Sequence, residues 1–329
     1  MINRIIRHSL EHPLLTVFLV ILASIAGVFS AVRMPKDIYP DLSPPVVTIV
    51  TDNEGMAAED VERLIWNPSC GINLANYLKD KEGKIGIIAK GCDSRSTALL
   101  IAENQIDKEN ITVIGLPCEG VINRKKIEKA LNGKEITEAV NMGYEIHVKG
   151  RDFEKTLPLD KYLSDSCKLC RHPNPVIHDI LIGEPVPEKQ VESYPDVEEL
   201  DAMTPEERYR FFVNELGDCI RCYSCRNVCP SCYCKECFVD ATMPKWFGKT
   251  TDLSDTMIYH IVRSLHMAGR CVDCGACTRA CPMGINLRYL LSVAEKVIKD
   301  RFDYEAGLET GQEPVMGIYD KEDSDDFIK

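Results

Sequence analysis

Three patterns of hydrophobic residues divide the first part of the chain. Residues 13–32 (PLLTVFLVILASIAGVFSAV) carry no charge and match the roughly 20 apolar residues that a helix needs to cross a bilayer. Further on, KIGIIA (84–89) and ITVIGL (111–116) are short apolar runs typical of buried strands, and TALLIAEN (97–104) between them has helical periodicity. With KGCDSRS (90–96) as the connecting turn, this spacing predicts a parallel βαβ unit.

The remaining periodic segments predict helices. MTPEERYRFFVNEL (203–216) opens with a capping signal, in which Thr204 is the cap, Pro205 comes first and Glu207 third. In TDLSDTMIYHIVRSLHMAG (251–269) the apolar residues fall largely on one helical face, which should be the packed face. That face consists of Met257, Ile258, Ile261, Val262, Leu265 and Met267. A further helical stretch is predicted at 71–78.

Charge and cysteine content restrict the possible functions. The formal net charge of −12 argues against nucleic acid as a partner, because proteins that bind nucleic acid present basic faces. The chain has 16 cysteines, most of them in C-x-x-C groups or tight runs. Such spacing is typical of metal or cluster ligands rather than disulfides, and it indicates a reducing compartment.

Two segments carry the most specific pattern, CIRCYSCRNVCP (219–230) and CVDCGACTRACP (271–282). Each reads C-x2-C-x2-C-x3-C-P, the pattern of bacterial two-cluster ferredoxins, in which three cysteines hold one 4Fe–4S cluster and the fourth ligates the other. The first cluster is therefore predicted on Cys219, Cys222, Cys225 and Cys281, and the second on Cys271, Cys274, Cys277 and Cys229. The 41 positions between the two motifs (230–270) are many more than a minimal ferredoxin has.

A third group of cysteines lies in the α/β part of the chain. Cys92 and Cys118 each follow a predicted strand, and functional residues of parallel sheets gather at the carboxyl ends of strands. Cys167 and Cys170 form a further C-x-x-C. These four residues predict a third 4Fe–4S cluster, for which Cys70 is an alternative ligand. A structural zinc site and unligated or redox-active thiols remain open as other interpretations.

Three more cysteines, Cys232, Cys234 and Cys237, follow the first motif directly. They fit extra metal ligands or a redox thiol pair, and equally cysteines that only pack beside the cluster domain. Nearby, His260 and His266 are expected to pack or to face solvent rather than to ligate a metal. No catalytic residue is identified from the sequence.

Residues 66–329 resemble the dicluster iron–sulfur proteins related to the beta subunits of deazaflavin-dependent hydrogenases and formate dehydrogenases. The resemblance is carried by WNPSCGINLANYL, IIAKGCDSRS, VIGLPCEGV, CKLCRHPNPVIHDILIGE and the two cluster motifs. The cluster domain also resembles the iron–sulfur subunits of heterodisulfide reductase and of succinate dehydrogenase-like enzymes. The resemblance implies electron transfer between such redox subunits. Some members carry FAD, although no G-x-G-x-x-G fingerprint is present here.

Residues 1–65 resemble instead the start of an RND-type heavy-metal efflux transporter. The resemblance is carried by MINRIIRHSLEHPLL, the apolar span, and MPKDIYPDLSPPVVTIVTDNEGMAAEDVERLI. It implies a first transmembrane helix followed by the opening of a periplasmic domain. The other helices of that family, and the ionisable residues that relay protons within them, are absent from the sequence.

The expected fold is an α/β middle domain plus an α-helical dicluster ferredoxin domain, preceded by one N-terminal transmembrane helix. The expected domains are residues 1–65, with the membrane helix at 13–32, the α/β domain at 66–190, the dicluster domain at 191–310, and an acidic tail at 311–329. A periplasmic body conflicts with cluster-binding cysteines, which need reducing conditions. Three explanations are an inverted span that leaves the redox body cytoplasmic but anchored to the inner membrane, a span that does not insert, and a chimeric gene.

The sequence thus predicts a non-catalytic iron–sulfur subunit that relays electrons between a hydrogenase or formate dehydrogenase-type partner and an acceptor. Two alternatives are a truncated membrane-transporter component and a catalytic subunit that reduces a flavin-type or disulfide substrate. Two 4Fe–4S clusters are expected whether the chain only transfers electrons or also catalyses a reduction. A third 4Fe–4S cluster and FAD are further expected cofactors.

Overall fold

The computed structural model describes a large part of the chain, namely residues 68–79, 81, 83–189, 194–245 and 248–318 together with Ser24, Val50 and Thr51. The predicted membrane helix at 13–32 lies outside the described residues apart from Ser24, and so do most of residues 1–65 and the end of the acidic tail. Among the residues that are described, no helix is both long and apolar enough to span a membrane. The elements below belong to the compact unit Pro44–Lys329.

The predicted βαβ unit is confirmed. Strand β2 (Ile85–Ala89) pairs in parallel with β3 (Ile111–Gly115), and helix α1 (Gly91–Ala102) connects them. On one side β1 (Val50–Thr51) adds to β2 in the antiparallel sense, and on the other side β7 (Ile180–Leu181) adds to β3 in parallel. Cys92 and Cys118 consequently both follow parallel strands at the same edge of this sheet, as the sequence indicated.

The predicted turn at KGCDSRS is wrong, because α1 begins at Gly91, directly after β2. The carboxylate of Asp93 accepts a hydrogen bond from the Lys90 amide at 3.0 Å, which caps the first turn of the helix. The position of Gly91 cannot hold a larger residue, since a Cβ there would overlap the His172 carbonyl oxygen. The predicted helical stretch at 71–78 shortens to the 3₁₀ turn Leu74–Tyr77.

A second sheet of three antiparallel strands was not predicted. It consists of β4 (Ile136–Asn141), β5 (Glu145–Gly150) and β6 (Glu154–Pro158). Helices α2 (Arg124–Ala130) and α3 (Leu159–Tyr162) flank these strands in sequence. The core between these elements is formed by Ile127, Leu131, Ile146, Val148, Leu157, Leu159 and Leu163.

The C-terminal region is helical. It follows the short helix α4 (Asp165–Lys168) and contains α5 (Pro195–Asp201), α6 (Pro205–Gly217), α7 (Ser224–Asn227), α8 (Leu253–Met267), α9 (Ala276–Arg279) and α10 (Arg288–Phe302). The capping box of α6 is confirmed, since the Thr204 amide donates to the Glu207 carboxylate at 2.8 Å and Thr204 Oγ1 accepts from the Glu207 amide at 3.3 Å. Helix α8 packs between α6 and α10.

The packed face of α8 differs from the predicted one. Ile258, Ile261 and Leu265 are exposed, and the buried residues of this helix are Thr256, Tyr259, His260, Arg263, Ser264 and Met267. Burying polar side chains is unfavourable unless they find hydrogen-bond partners. Tyr259, His260 and Arg263 of this polar face contact Cys219 and Cys225 of the first loop. The orientation of the helix therefore follows polar contacts, which the spacing of apolar residues does not reveal.

Candidate iron–sulfur centres

The two cysteine loops repeat one backbone conformation. The second and fourth residues after the first cysteine of each loop have left-handed backbone angles, namely Arg221 (φ 55°), Tyr223 (φ 60°), Asp273 (φ 49°) and Gly275 (φ 67°). A short helix, α7 or α9, then follows in each loop. Left-handed residues are uncommon outside glycine, and loops that contain them can form concavities of backbone N–H groups that bind anions, including iron–sulfur clusters.

The four cysteines of the first predicted cluster line one cavity. This first cavity is bounded by Cys219, Cys222, Cys225 and Cys281, hereafter the first quartet, together with Tyr259 and His260 from α8. Cys222 is exposed, whereas Cys225 and Cys281 are buried. The exposed side chains of Ile220 and Met283 also border it, so the first cavity lies close to the surface.

Helix α8 contacts the first quartet with polar atoms. His260 Nε2 lies 3.3 Å from Cys219 Sγ, and the Tyr259 hydroxyl lies 3.6 Å from Cys225 Sγ. Arg263 donates to the Cys225 carbonyl oxygen at 3.0 Å. Burial, together with the nearby charge of Arg263, lowers the pKa of His260 to about 4, so the ring is neutral at pH 7.

The four cysteines of the second predicted cluster line another cavity. This second cavity is bounded by Cys229, Cys271, Cys274 and Cys277, hereafter the second quartet. Cys229 comes from the first sequence motif, so the structure places it with three cysteines of the other motif. None of the four is exposed. Arg263 lines this cavity as well, and its Nε has no hydrogen-bond partner within the described residues.

Charged groups from several elements hold the second loop. Arg288 at the start of α10 binds the Asp273 carboxylate through two hydrogen bonds of 2.7 Å and Asp196 through a third of 2.7 Å. Arg279 donates to the carbonyl oxygen of Gly71 and, at 2.9 Å, to that of Cys274. Both arginines therefore connect the loop to distant parts of the chain.

Both cavities fit a 4Fe–4S cluster in the chemistry of their walls. Burial raises the pKa of Cys225 to about 11 and that of Cys274 to about 12, so these thiols keep their protons unless a positive centre is bound. A cubane requires four cysteine thiolates, and its irons supply the missing positive charge. Each cavity presents four cysteines around a loop that contains left-handed residues.

The third group of cysteines also gathers in one region. Burial raises the pKa of Cys118 to about 11, and Lys90 and Cys167 lie close enough to influence this pKa electrostatically. Cys167 Sγ accepts a hydrogen bond from the Val121 amide at 3.3 Å, and Cys167 is likewise among the charges that act on Cys170. Cys92 lies within electrostatic reach of Cys118 and of Cys274 in the second quartet.

A buried ion pair stands beside this third group. Lys90 Nζ lies 2.8 Å from the Asp93 carboxylate, and neither side chain is exposed by more than 4%. The ammonium group also donates to the carbonyl oxygens of Cys70 and Ile72 at 3.2 Å. Cys70 thus reaches the third group through its backbone, and Lys90 supplies a fixed positive charge near Cys92 and Cys118.

A further cavity, hereafter the inner cavity, is lined by cysteines of both the third group and the second quartet. These cysteines are Cys92, Cys170 and Cys271. Its wall is unusually rich in charged side chains, which are Arg95, Arg171, His172, Asp196, Asp273, Arg288, Glu295 and Glu305. Burial raises the pKa of Glu295 to about 8, and its carboxyl group is in hydrogen-bond contact with Cys271.

Cys232, Cys234 and Cys237 do not form one site. Cys232 contacts Cys229 and Arg263, and the hydrogen bond with Cys229 lowers its pKa to about 7. Cys234 is exposed, and Cys237 is in contact with Arg226. Among the described residues, no group of three or more His, Cys, Asp or Glu side chains is placed to hold a single metal ion.

The role of the polar residues of α8 was not predicted from the sequence. Tyr259, His260 and Arg263 are absent from the predicted packed face, and His260 was assigned a packing or surface role. Their position could have indicated this role, because they lie in the long segment between the two motifs, where a minimal ferredoxin has few residues. Arg263 lies three positions after His260 and four after Tyr259, which makes it a helical neighbour of both.

Comparison with known proteins agrees with this chemistry. Residues 215–285 match the 4Fe-4S dicluster domain family, and this range contains both quartets. The matched segment is therefore an iron–sulfur domain with two 4Fe–4S clusters.

Two curated relatives are similar over most of their length. The chain is 25% identical to the F420-dependent formate dehydrogenase subunit beta of Methanocaldococcus jannaschii, over 88% of this chain and 89% of the relative. It is 24% identical to the F420-dependent formate dehydrogenase 1 subunit beta of Methanococcus maripaludis, over 87% of this chain and 88% of the relative. Both relatives are redox subunits, so the alternative of a membrane transporter is not favoured.

Proposed function

We propose that this chain is the iron–sulfur electron-transfer subunit of a formate dehydrogenase- or hydrogenase-type complex. The observation that carries the proposal is that two cavities are each lined by four cysteines, with Cys229 and Cys281 exchanged between the motifs. The first quartet is proposed to hold one cluster and the second quartet the other. Exchange of the fourth ligand keeps two clusters close, which suits transfer of single electrons between them.

The arrangement of cavities supports a relay with a defined order. Cys92 of the third group, which is proposed to hold a third 4Fe–4S cluster, lies within electrostatic reach of Cys274 in the second quartet. The first quartet reaches the surface at Cys222. Electrons would therefore pass between the α/β domain (66–190) and the surface of the dicluster domain (191–310) through the second cluster.

The first cavity is the proposed place for exchange with the partner subunit. Ile220 is 52% exposed and Met283 is 45% exposed, and both border the cavity of the first quartet. Exposed apolar side chains beside an electron carrier favour a protein partner over bulk solvent. The proposed partner is a catalytic subunit of the formate dehydrogenase or hydrogenase type, in a reducing compartment that keeps all 16 cysteines free of disulfides.

Iron and sulfide analysis of the full chain, produced without oxygen, tests the proposal. About eight irons per chain support the two dicluster sites, and about twelve support the third cluster as well. Fewer than about four irons would refute the proposal. A chain in which Cys167 and Cys170 are both replaced by alanine is the matched control, since it should lose only the third set.

A second candidate function is catalysis in the inner cavity. Cysteines of the third group and of the second quartet line it together with charged side chains, so a bound acceptor there would be within reach of both. The names of the relatives point to F420 as the class of acceptor. FAD would be the carrier between this acceptor and the clusters. Bound flavin in the purified chain would favour this function, and its absence after reconstitution with FAD would exclude it.

A further inference from the structure

Helix α8 is the element that places hydrogen-bond donors and charge against the two quartets. It lies in the long segment between the motifs, and its buried face includes Tyr259, His260 and Arg263. Each of these side chains is exposed by 4% or less. A helix that buries three such groups must satisfy them, and the hydrogen bonds described for these side chains run to atoms of the cysteine loops.

The direction of two of these hydrogen bonds follows from the chemistry of a ligated cysteine. A thiolate bound to iron has no proton, so it can only accept. His260 Nε2, 3.3 Å from Cys219 Sγ, must then carry the ring proton and donate it, and the Tyr259 hydroxyl, 3.6 Å from Cys225 Sγ, must donate as well. Both donors act on the first quartet, and neither lines the second cavity.

Arg263 acts at the second cavity. Its terminal nitrogen is occupied by the Cys225 carbonyl oxygen at 3.0 Å, which fixes the guanidinium between the two loops. Its Nε lacks a hydrogen-bond partner within the described residues, although the side chain is only 4% exposed and lines the second cavity. The side chain is also in contact with Cys232, outside the second quartet. A buried N–H of a charged group is costly when unpaired, so a cluster in the second cavity would supply the acceptor that Nε lacks.

We propose that α8 sets the reduction potentials of the two clusters, with Tyr259 and His260 raising that of the first and Arg263 raising that of the second. The proposal rests on the proposed function, since it presupposes clusters in both cavities. One-electron reduction adds a negative charge to a cluster, and donors and cations beside its sulfur atoms stabilise the reduced form more than the oxidised form. The three residues position and tune, and they do not ligate.

The size of each effect follows from the contact. At a solution potential where half of the first cluster is reduced in the natural chain, His260→Phe should lower the ratio of reduced to oxidised cluster about tenfold, which is about 59 mV for one electron. Tyr259→Phe, which removes a longer contact, should lower it about threefold. Arg263→Met should lower the ratio at the second cluster about tenfold, and Arg263→Lys, which keeps the charge, should restore most of it.

The test is a redox titration of the full chain, produced without oxygen and followed by EPR. Labelling histidine with ¹⁵N and recording pulsed EPR identifies the first cluster, because His260 is the one histidine of the described residues in hydrogen-bond contact with a quartet cysteine. The nitrogen coupling should be present in the natural chain and lost in His260→Phe. His266→Phe is the matched control, since His266 lies on the exposed side of the same helix and should change neither the coupling nor the potentials.

The outcomes separate the tuning role from the proposed function. If the natural chain holds no clusters, the proposed function fails and the tuning role fails with it. If both clusters assemble but neither potential shifts in His260→Phe and Arg263→Met, the tuning role alone is overturned. Should the first cluster fail to assemble in His260→Phe, Tyr259→Phe, which removes only one hydroxyl group, takes its place. A lowered potential of the first cluster in Tyr259→Phe would support the tuning role, and an unchanged potential would overturn it.

Discussion

The first cavity opens near the surface, whereas the loop that lines the second cavity is held by two arginines that also bind distant parts of the chain. Arg288 and Arg279 connect the second loop to Asp196 and Gly71. Arg221 of the first loop binds instead the carbonyl oxygen of Asp255 in the nearby α8. The same backbone is therefore used in two environments. We infer from this difference that the first cavity is adapted to electron exchange with a partner, and the second cavity to a fixed place within the relay.

The largest expected effect is the loss of a whole cluster, and Cys229 and Cys281 determine which cluster is lost. Cys229→Ala is expected to remove the second cluster and Cys281→Ala the first, because the structure places each cysteine in the cavity of the other motif. Iron should fall by about four atoms per chain in both variants. Pulsed EPR on ¹⁵N-histidine chains distinguishes them, since the nitrogen coupling should survive in Cys229→Ala. Its loss there would contradict the exchange of ligands.

The buried charges of the second site should give the next largest effect. Arg288 is buried and its partners Asp196 and Asp273 are partly buried. Arg288→Met is therefore expected to cost at most about 3–5 kcal/mol, the cost of a broken buried pair. Chemical denaturation without oxygen measures this cost. Arg226→Met is the control at the first loop, because its 2.8 Å pair with Asp240 is partly exposed and is expected to contribute at most about 1 kcal/mol. If both variants lower the free energy of unfolding equally, the second loop is not held more strongly by its ion pairs than the first.

A single methyl group should distinguish the two loops at an equivalent position. Tyr223 and Gly275 share a left-handed conformation, but a Cβ at Gly275 would overlap Ser166 Oγ. Gly275→Ala is therefore expected to lower the free energy of unfolding by about 1–3 kcal/mol, whereas the first loop accommodates a tyrosine. Gly217→Ala, which meets nothing within 4 Å, is the control and should be neutral or slightly stabilising. A neutral Gly275→Ala would show that the contact with Ser166 yields freely.

The smallest predicted effect concerns the wall of the inner cavity. The hydrogen bond from His172 at 3.0 Å, aided by Arg171, lowers the pKa of Glu305 to about 2. A carboxyl group whose pKa is depressed on folding stabilises the fold above about pH 4.5, and this contribution is lost as the pH falls toward 2. Glu305→Gln should thus cost on the order of 1–2 kcal/mol at pH 7 and less at pH 3. A cost independent of pH would mean that charge is not the cause.

Much of this arrangement could be predicted from the sequence where spacing alone determines geometry. The two cysteine motifs fix the loops, the apolar runs fix the parallel pairing of β2 with β3, and Thr204 with Glu207 fixes the start of α6. In each case the residues that form the element are close together in the sequence. Local chemistry is then enough to define the local structure.

The rest depends on contacts between distant residues. The face of α8 was predicted from its apolar residues, yet Ile261 and Leu265 are exposed because His260 and Arg263 turn toward the cysteines. In the second sheet β5 alternates buried Ile146 and Val148 with polar neighbours, but β6 buries only Leu157 and offers no apolar pattern of its own, so the sheet of β4–β6 was missed. The inner cavity joins residues from Cys92 to Ala306, which no spacing could reveal.

The most direct test of the whole account is EPR of the full chain, produced without oxygen and reduced stepwise. Two clusters held close together by exchanged ligands should appear one after the other as signals of reduced 4Fe–4S centres, and the second reduction should broaden or split the first signal through magnetic interaction. A single isolated signal at full reduction, with about four irons per chain, would contradict the account.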